Sequence, residues 1–149
     1  MTERRILALI ACALMAPAVP AQQAPQPVLP KTKLATGIHV ITAEIAATDE
    51  SRTIGLMMRQ RLEPNHGMVF VFAAKSQHCF WMRNTLIPLS IAFIDDDGTI
   101  VNVADMAPKS DASTCPLRPV RYALEMDQGW FAKRGVAAGK KITGLPPPR

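Results

Sequence analysis

The chain has 149 residues, 48% of them apolar, with 17 Lys plus Arg against 12 Asp plus Glu and a formal net charge of +5. This content fits one globular domain and argues against intrinsic disorder and against a two-domain enzyme. The longest apolar run, residues 6–18, is broken by Pro17 and falls short of the roughly 18 residues that cross a bilayer, so the mature chain is expected to carry no transmembrane helix.

Arg4 and Arg5, the apolar stretch 6–16 and the small-residue segment Val19-Pro20-Ala21 predict a signal peptide over residues 1–21. The protein is then exported, with the periplasm as its expected location. A lipoprotein acylated at Cys12 is the competing reading, because Leu9-Ile10-Ala11-Cys12 resembles a lipobox. The apolar stretch before Cys12 is short and continues past it, which favours the cleaved signal. Residues 22–33 contain Pro25, Pro27 and Pro30 without hydrophobic periodicity and are expected to form a Pro-rich, solvated tether. Residues 34–145 are then a single β domain, and 146–149 a disordered tail opened by three prolines.

Within the domain, residues 38–46 alternate as a strand, with Ile41, Ala43 and Ile45 on one face and Val40, Thr42 and Glu44 on the other. Thr48, Asp49 and Glu50 form a helix start, and Ile54, Met57 and Met58 recur at helical spacing, so a helix is predicted over 49–59 with Gly55 as its weak point. Residues 62–67 carry turn chemistry. Met68, Phe70 and Phe72 alternate with Val69 and Val71, which predicts a central strand apolar on both faces. Residues 79–83 are read as a further strand. Residues 89–94 and 99–104 flank Asp95-Asp96-Asp97-Gly98 as a β-hairpin, with the glycine at a left-handed position. A long Pro-containing loop over 106–119, a strand at 122–126, one helical turn at 129–134 and a closing segment at 140–145 complete the domain. Short strands, frequent turn signals and a single helix predict a mainly β fold, a small jelly-roll-like sandwich or partly open barrel with one short helix. Signal removal leaves Cys79 and Cys115, an even pair that reads as a disulfide in an oxidising compartment; two free thiols are the alternative.

Three strings stand out: Gly55-Leu56-Met57-Met58-Arg59, Gly67-Met68-Val69-Phe70-Val71-Phe72, and Phe80-Trp81-Met82-Arg83-Asn84-Thr85-Leu86-Ile87-Pro88-Leu89. With the hairpin over 91–100, Ala123-Leu124-Glu125 and residues 135–142, they resemble the family known as domain of unknown function 192, or uncharacterised protein family 0127. The resemblance spans residues 40–142 and implies a compact, mainly β fold of jelly-roll type, often exported, with no assigned activity. Where that family usually has Pro-Leu-Asp, this chain has Pro88-Leu89-Ser90, so no role resting on that carboxylate carries over.

The dense run Trp81, Arg83, Asn84 and Thr85 beside Pro88 has two readings. It stabilises a turn between strands, or it lines a cleft with Trp81 as a stacking surface and Arg83 and Asn84 as polar contacts. Arg59 and Glu125 are read either as a buried ion pair or as charges beside that cleft. Several Met residues with His39, His66 and His78 raise Cu(I) binding, for which His66 and Met68 are the weak candidates, but their spacing favours core packing. Asp95-Asp96-Asp97-Gly98 lacks the spacing of a calcium loop, and Cys115 with His78 makes a nucleophile pair only if Cys115 is free. Among Glu44, Glu63, Asp105 and Glu125 no carboxylate pair is preferred. The basic residues are scattered, so nucleic acid is not an expected partner, and no cofactor is expected. The expected function is a non-catalytic exported module that binds a small molecule, glycan or envelope component. A small envelope hydrolase using Glu125 or Asp105, and a copper-handling protein, are the alternatives.

Overall fold

Alternating apolar residues set the strands, and the sheet order decides which strands are buried on both faces. A computed structural model describes residues 24–148. The expected signal peptide over 1–21 and the alternative acylation at Cys12 lie outside the described residues. Along the chain run β1 (Lys31–Thr36), β2 (His39–Ala46), α1 (Asp49–Ile54), β3 (His66–Ser76), β4 (Leu89–Ile94), β5 (Ile100–Met106), β6 (Val120–Asp127) and a 3-10 turn at Ala132–Arg134. The fold is mainly β, as expected: one six-stranded mixed sheet in the order β1-β2-β3-β6-β4-β5, not closed into a barrel. Every strand pair is antiparallel except β2 and β3. Parallel neighbours need a long crossover. Residues 47–65, α1 included, make that crossover and lie over one face of the sheet.

The central strands are apolar on both sides because each face carries its own core. Val69, Val71, Leu124 and Met126 pack on one face with Trp130, Phe131 and Ile142. Met68, Phe70, Ile91, Phe93 and Ala123 pack on the other with Leu56 and Met82. The alternation read in residues 68–72 is thus seen in β3, which lies between β2 and β6. The β4–β5 hairpin forms where expected, with Gly98 at φ 83°. Residues 141 and 143 make isolated bridges to Thr99 and Ala35, so the closing segment reaches from the start of β5 to β1, the two edges of the sheet.

Several expectations differ. The helix stops at Ile54: Thr48 and Ser51 form a reciprocal capping box at its start, and Gly55, at φ 51°, ends it by donating to the Ser51 carbonyl. A side chain at Gly55 would meet the Phe70 ring at 3.3 Å. Met57 and Met58 therefore follow in a loop, with Met58 itself left-handed and donating its N–H to the Asn84 carbonyl. The strand expected at 79–83 is a loop with a single bridge, Phe80 to Thr114, because its amides bond to residues 110 and 114 and to no strand. The segment 24–33, expected as a solvated tether, lies against the domain. Gln26 is buried and donates to the carbonyls of Ser51 and Gly55, and β1 begins at Lys31. At the other end the Tyr122 hydroxyl donates to the Pro146 carbonyl at 2.9 Å. Among the described residues no helix is long and apolar enough to cross a membrane.

Candidate functional site

The crossover and the loop after β3 face each other across the sheet and leave a recess between them. Its volume is about 520 Å³. One wall is the end of α1 with Gly55, Leu56 and Met57, the other is formed by Phe80, Trp81 and Thr85, and Phe70 and Glu125 lie at its base. Phe72 joins the wall because it alternates in phase with Met68 and Phe70 along β3 and so lies on the same face. The loop wall is fixed by Cys79, bonded to Cys115 with a Cα separation of 4.2 Å, and by paired main-chain bonds between Phe80 and Thr114.

Glu125 lies on central strand β6, opposite Met68 and Ile91, on the face that carries the second core. It is 4% exposed, and among the described residues its carboxylate has no hydrogen bond or ion pair. Loss of hydration pushes its pKa up to about 8. The carboxyl is therefore mainly protonated at neutral pH. Arg59 is not its partner: its guanidinium bonds Glu44 at 3.0 Å, and Glu44 also accepts the Leu29 amide. That pair ties the crossover to the N-terminal segment and is architecture, with the buried Arg59 Nε having no hydrogen bond among the described residues.

The structure brings Trp81, Thr85 and Glu125 together around the recess and places the other candidates outside it. Arg83 turns outward, pairing with Asp111 at 2.7 Å and lying 4.3 Å over the Trp81 ring. Asn84 acts through its backbone carbonyl on Met58, and its side-chain amide approaches the Met57 sulfur at 3.9 Å. The intervening Met82 is buried in the core. Asp105 faces the other side of the sheet, opposite Ser90, whose hydroxyl donates to it. Met68 is fully buried in the core and the His66 ring sits 3.0 Å from the Pro64 carbonyl. Among the described residues no group of three or more His, Cys, Asp or Glu is arranged to hold a metal. The acids of the hairpin turn are paired: Asp95 with Lys75 and Arg118, Asp96 with Arg121, Asp97 with Lys141. Cys115 is committed to its disulfide and His78 stacks on Phe72 at 3.5 Å.

Sequence reasoning missed the apolar walls, Leu56, Phe70, Phe72 and Phe80. Glu125 carried the stronger signal, a carboxylate flanked by Leu124 and Met126 in the apolar middle of a strand whose other charges, Arg121 and Asp127, lie towards its ends.

Fold and recess together define a small mixed-sheet domain with a cleft on one face that mixes apolar and polar side chains. The chain belongs to the DUF192 family, described as an uncharacterized ACR, whose pattern matches residues 31–144. It is similar to a solved protein of Sinorhizobium meliloti 1021, provisionally described as a transcription regulator, with 34% identity over 80% of this chain and 97% of that one and a TM-score of 0.75. A protein of unknown function from Novosphingobium aromaticivorans DSM 12444 is 32% identical over 87% of this chain and 93% of its own, with a TM-score of 0.71. No curated protein matches the chain.

Proposed function

We propose that this is an exported domain that binds a small ligand or an envelope component in the cleft. One observation carries the reading: a recess of about 520 Å³, walled in part by Leu56, Phe70, Phe72 and Phe80, whose base holds a buried carboxylate with no partner among the described residues. Buried polar groups are ordinarily satisfied, so one left open towards a cleft is where a ligand would complete the bonding. The residues 1–21 and the Cys79–Cys115 bond support export. The description of the Sinorhizobium relative points to nucleic acid, but here Lys75, Arg118, Arg121 and Lys141 face acidic partners, which favours a small ligand over a phosphate backbone.

The test is amide-shift mapping with a set of small compounds that join an apolar body to a polar head. Binding in the cleft shifts residues 53–57 and 79–85 as one group, and Leu56→Trp, which fills the recess, removes the effect. Scattered shifts, or none, would reject the reading. Mass spectrometry of the mature N-terminus checks export: a start at residue 22 is expected, and an acylated Cys12 would replace the cleaved signal with a lipid anchor.

A hydrolase is the second reading, and the raised Glu125 carboxyl favours it, since a general acid works best with a pKa near the operating pH. The other carboxylate lining the cleft is Asp49, which is exposed and paired with Arg52, so a second acid or base is not placed beside Glu125. Turnover of a chromogenic glycoside or ester that disappears in Glu125→Gln would move the assignment to this class.

A further inference from the structure

We propose that the cleft selects an organic cation, an ammonium or guanidinium group on a small apolar body, with Glu125 as counter-ion and the rings of Phe70, Phe80 and Trp81 as walls. The proposal rests on the cleft being a ligand site and adds the chemical class of the ligand. Its basis is a missing partner. The other buried acids, Glu44 and Asp95, are each met by a cation: Arg59 for the first, Lys75 and Arg118 for the second. Glu125 is buried to a similar extent and has none among the described residues.

Among the described residues no cation is free to fill that place. From the crossover, Arg52 faces the cleft, but it bonds Asp49 and donates to the carbonyls of Ala47 and Val71 at 2.7 and 2.8 Å. From the loop wall, His78 stacks on Phe72, and its Nε2 lies 3.1 Å from the Ala74 carbonyl. On β2, Glu44 lies in the same cross-strand row as Glu125, separated by Met68 and held by Arg59. The strands beside β6 present Met68 and Ile91, which carry no charge.

The walls suit the same class. An aromatic ring attracts a cation to its face, and two rings lining the cleft already do so: Arg52 lies 5.2 Å over Phe72 and Arg83 4.3 Å over Trp81. An anion would meet the ionised carboxylate with like charge, and the arginine lining the cleft, Arg52, is already bonded to Asp49 and to the Ala47 and Val71 carbonyls. A neutral polar group would gain one ordinary hydrogen bond, whereas a cation gains a charge-assisted bond at the base of the cleft. The protein side must ionise to make that bond. With the carboxyl pushed up to about 8, this costs about a factor of ten in affinity at pH 7, and one proton leaves to buffer for each cation bound.

Calorimetry of the purified protein with benzylammonium, benzyl alcohol and benzoate tests the proposal. Benzylammonium is expected to bind at least tenfold more tightly than benzyl alcohol at pH 8.5, and benzoate not to bind. Its affinity should fall up to tenfold per pH unit below about pH 8, as protonation of Glu125 competes. Glu125→Gln should bind the cation and the alcohol alike. Should that variant fail to fold, the wild-type pH profile decides: an affinity for benzylammonium that stays constant from pH 6 to 9 overturns the proposal. Equal binding of the cation and the alcohol at pH 8.5, lost in Leu56→Trp, overturns the ligand class while the cleft stands as a ligand site. No binding of any probe, or binding that Leu56→Trp leaves unchanged, overturns both.

Discussion

A carboxyl held in its neutral form makes stability depend on pH in a definite direction. In the unfolded chain Glu125 ionises near the ordinary glutamate value, while in the folded protein it does so near 8. Its contribution is fully present below the unfolded value and is lost as pH rises towards 8, at a slope of about 1.4 kcal/mol per unit. Glu125→Gln removes the titration, so its unfolding free energy should vary less than that of the wild type between pH 5 and 8, and it should be the more stable protein at pH 8.5. Urea titrations at several pH values check this. Ser90 offers a second test on the opposite face. Its buried hydroxyl accepts the Gly129 amide at 2.8 Å and donates to Asp105. Ser90→Ala leaves that amide without an acceptor and should cost about 1–3 kcal/mol in the same titration. Ser90→Asp sets one carboxylate against another and should destabilise at neutral pH and recover at low pH.

Elements whose cues are local were legible in the sequence. The β4–β5 hairpin follows from two apolar runs around an acidic turn ending in Gly98, and β3 from apolar residues in both phases. Elements whose shape depends on distant partners were not. Met57 and Met58 keep helical spacing past Gly55, yet that spacing serves a loop laid over the sheet, because the glycine is left-handed and pressed against Phe70. β1 was masked by the prolines before it, although Leu34 and Thr36 alternate inward. The recess was legible only in part, through Trp81, Thr85 and Glu125, since its walls come from segments joined by a disulfide and by isolated bridges. That disulfide closes a sequence separation of 36 residues, which in the chain-entropy account is worth about 3–4 kcal/mol. The double variant Cys79→Ser, Cys115→Ser should lose close to that amount in a denaturant titration. Faster amide exchange should appear at residues 79–85 and 110–114, with β3 and β6 little changed. Equal loosening of the central strands would mean that the bond supports the whole sheet and not the cleft wall.

At the scale of the molecule, one sheet with a core on each face depends on what covers it and on what guards its edges. The segment after the 3-10 turn does both: Ile142 is buried in the first core, and its neighbours bridge to β1 and to the start of β5. The approach is close at Gly98, where a β-carbon would come within 2.3 Å of the Ile142 carbonyl oxygen and the backbone is left-handed. Gly98→Ala should therefore push the segment away, lower stability by about 2 kcal/mol or more, and expose strand edges to intermolecular pairing. A lower urea midpoint with concentration-dependent light scattering would show it; an unchanged midpoint would mean that the segment is not needed to hold the edges.

The stitch to β1 also orders events in time. Thr143 and Ala35, which it joins, are 108 residues apart, whereas the other side of β1 is filled at once by the hairpin with β2. Closing so long a span is entropically late, and non-local pairing of this kind slows folding. The outer edge of β1 thus stays open through most of the folding reaction and is sealed among the last contacts. Lys31 and Lys33, exposed on that strand, are well placed to repel other chains during the interval.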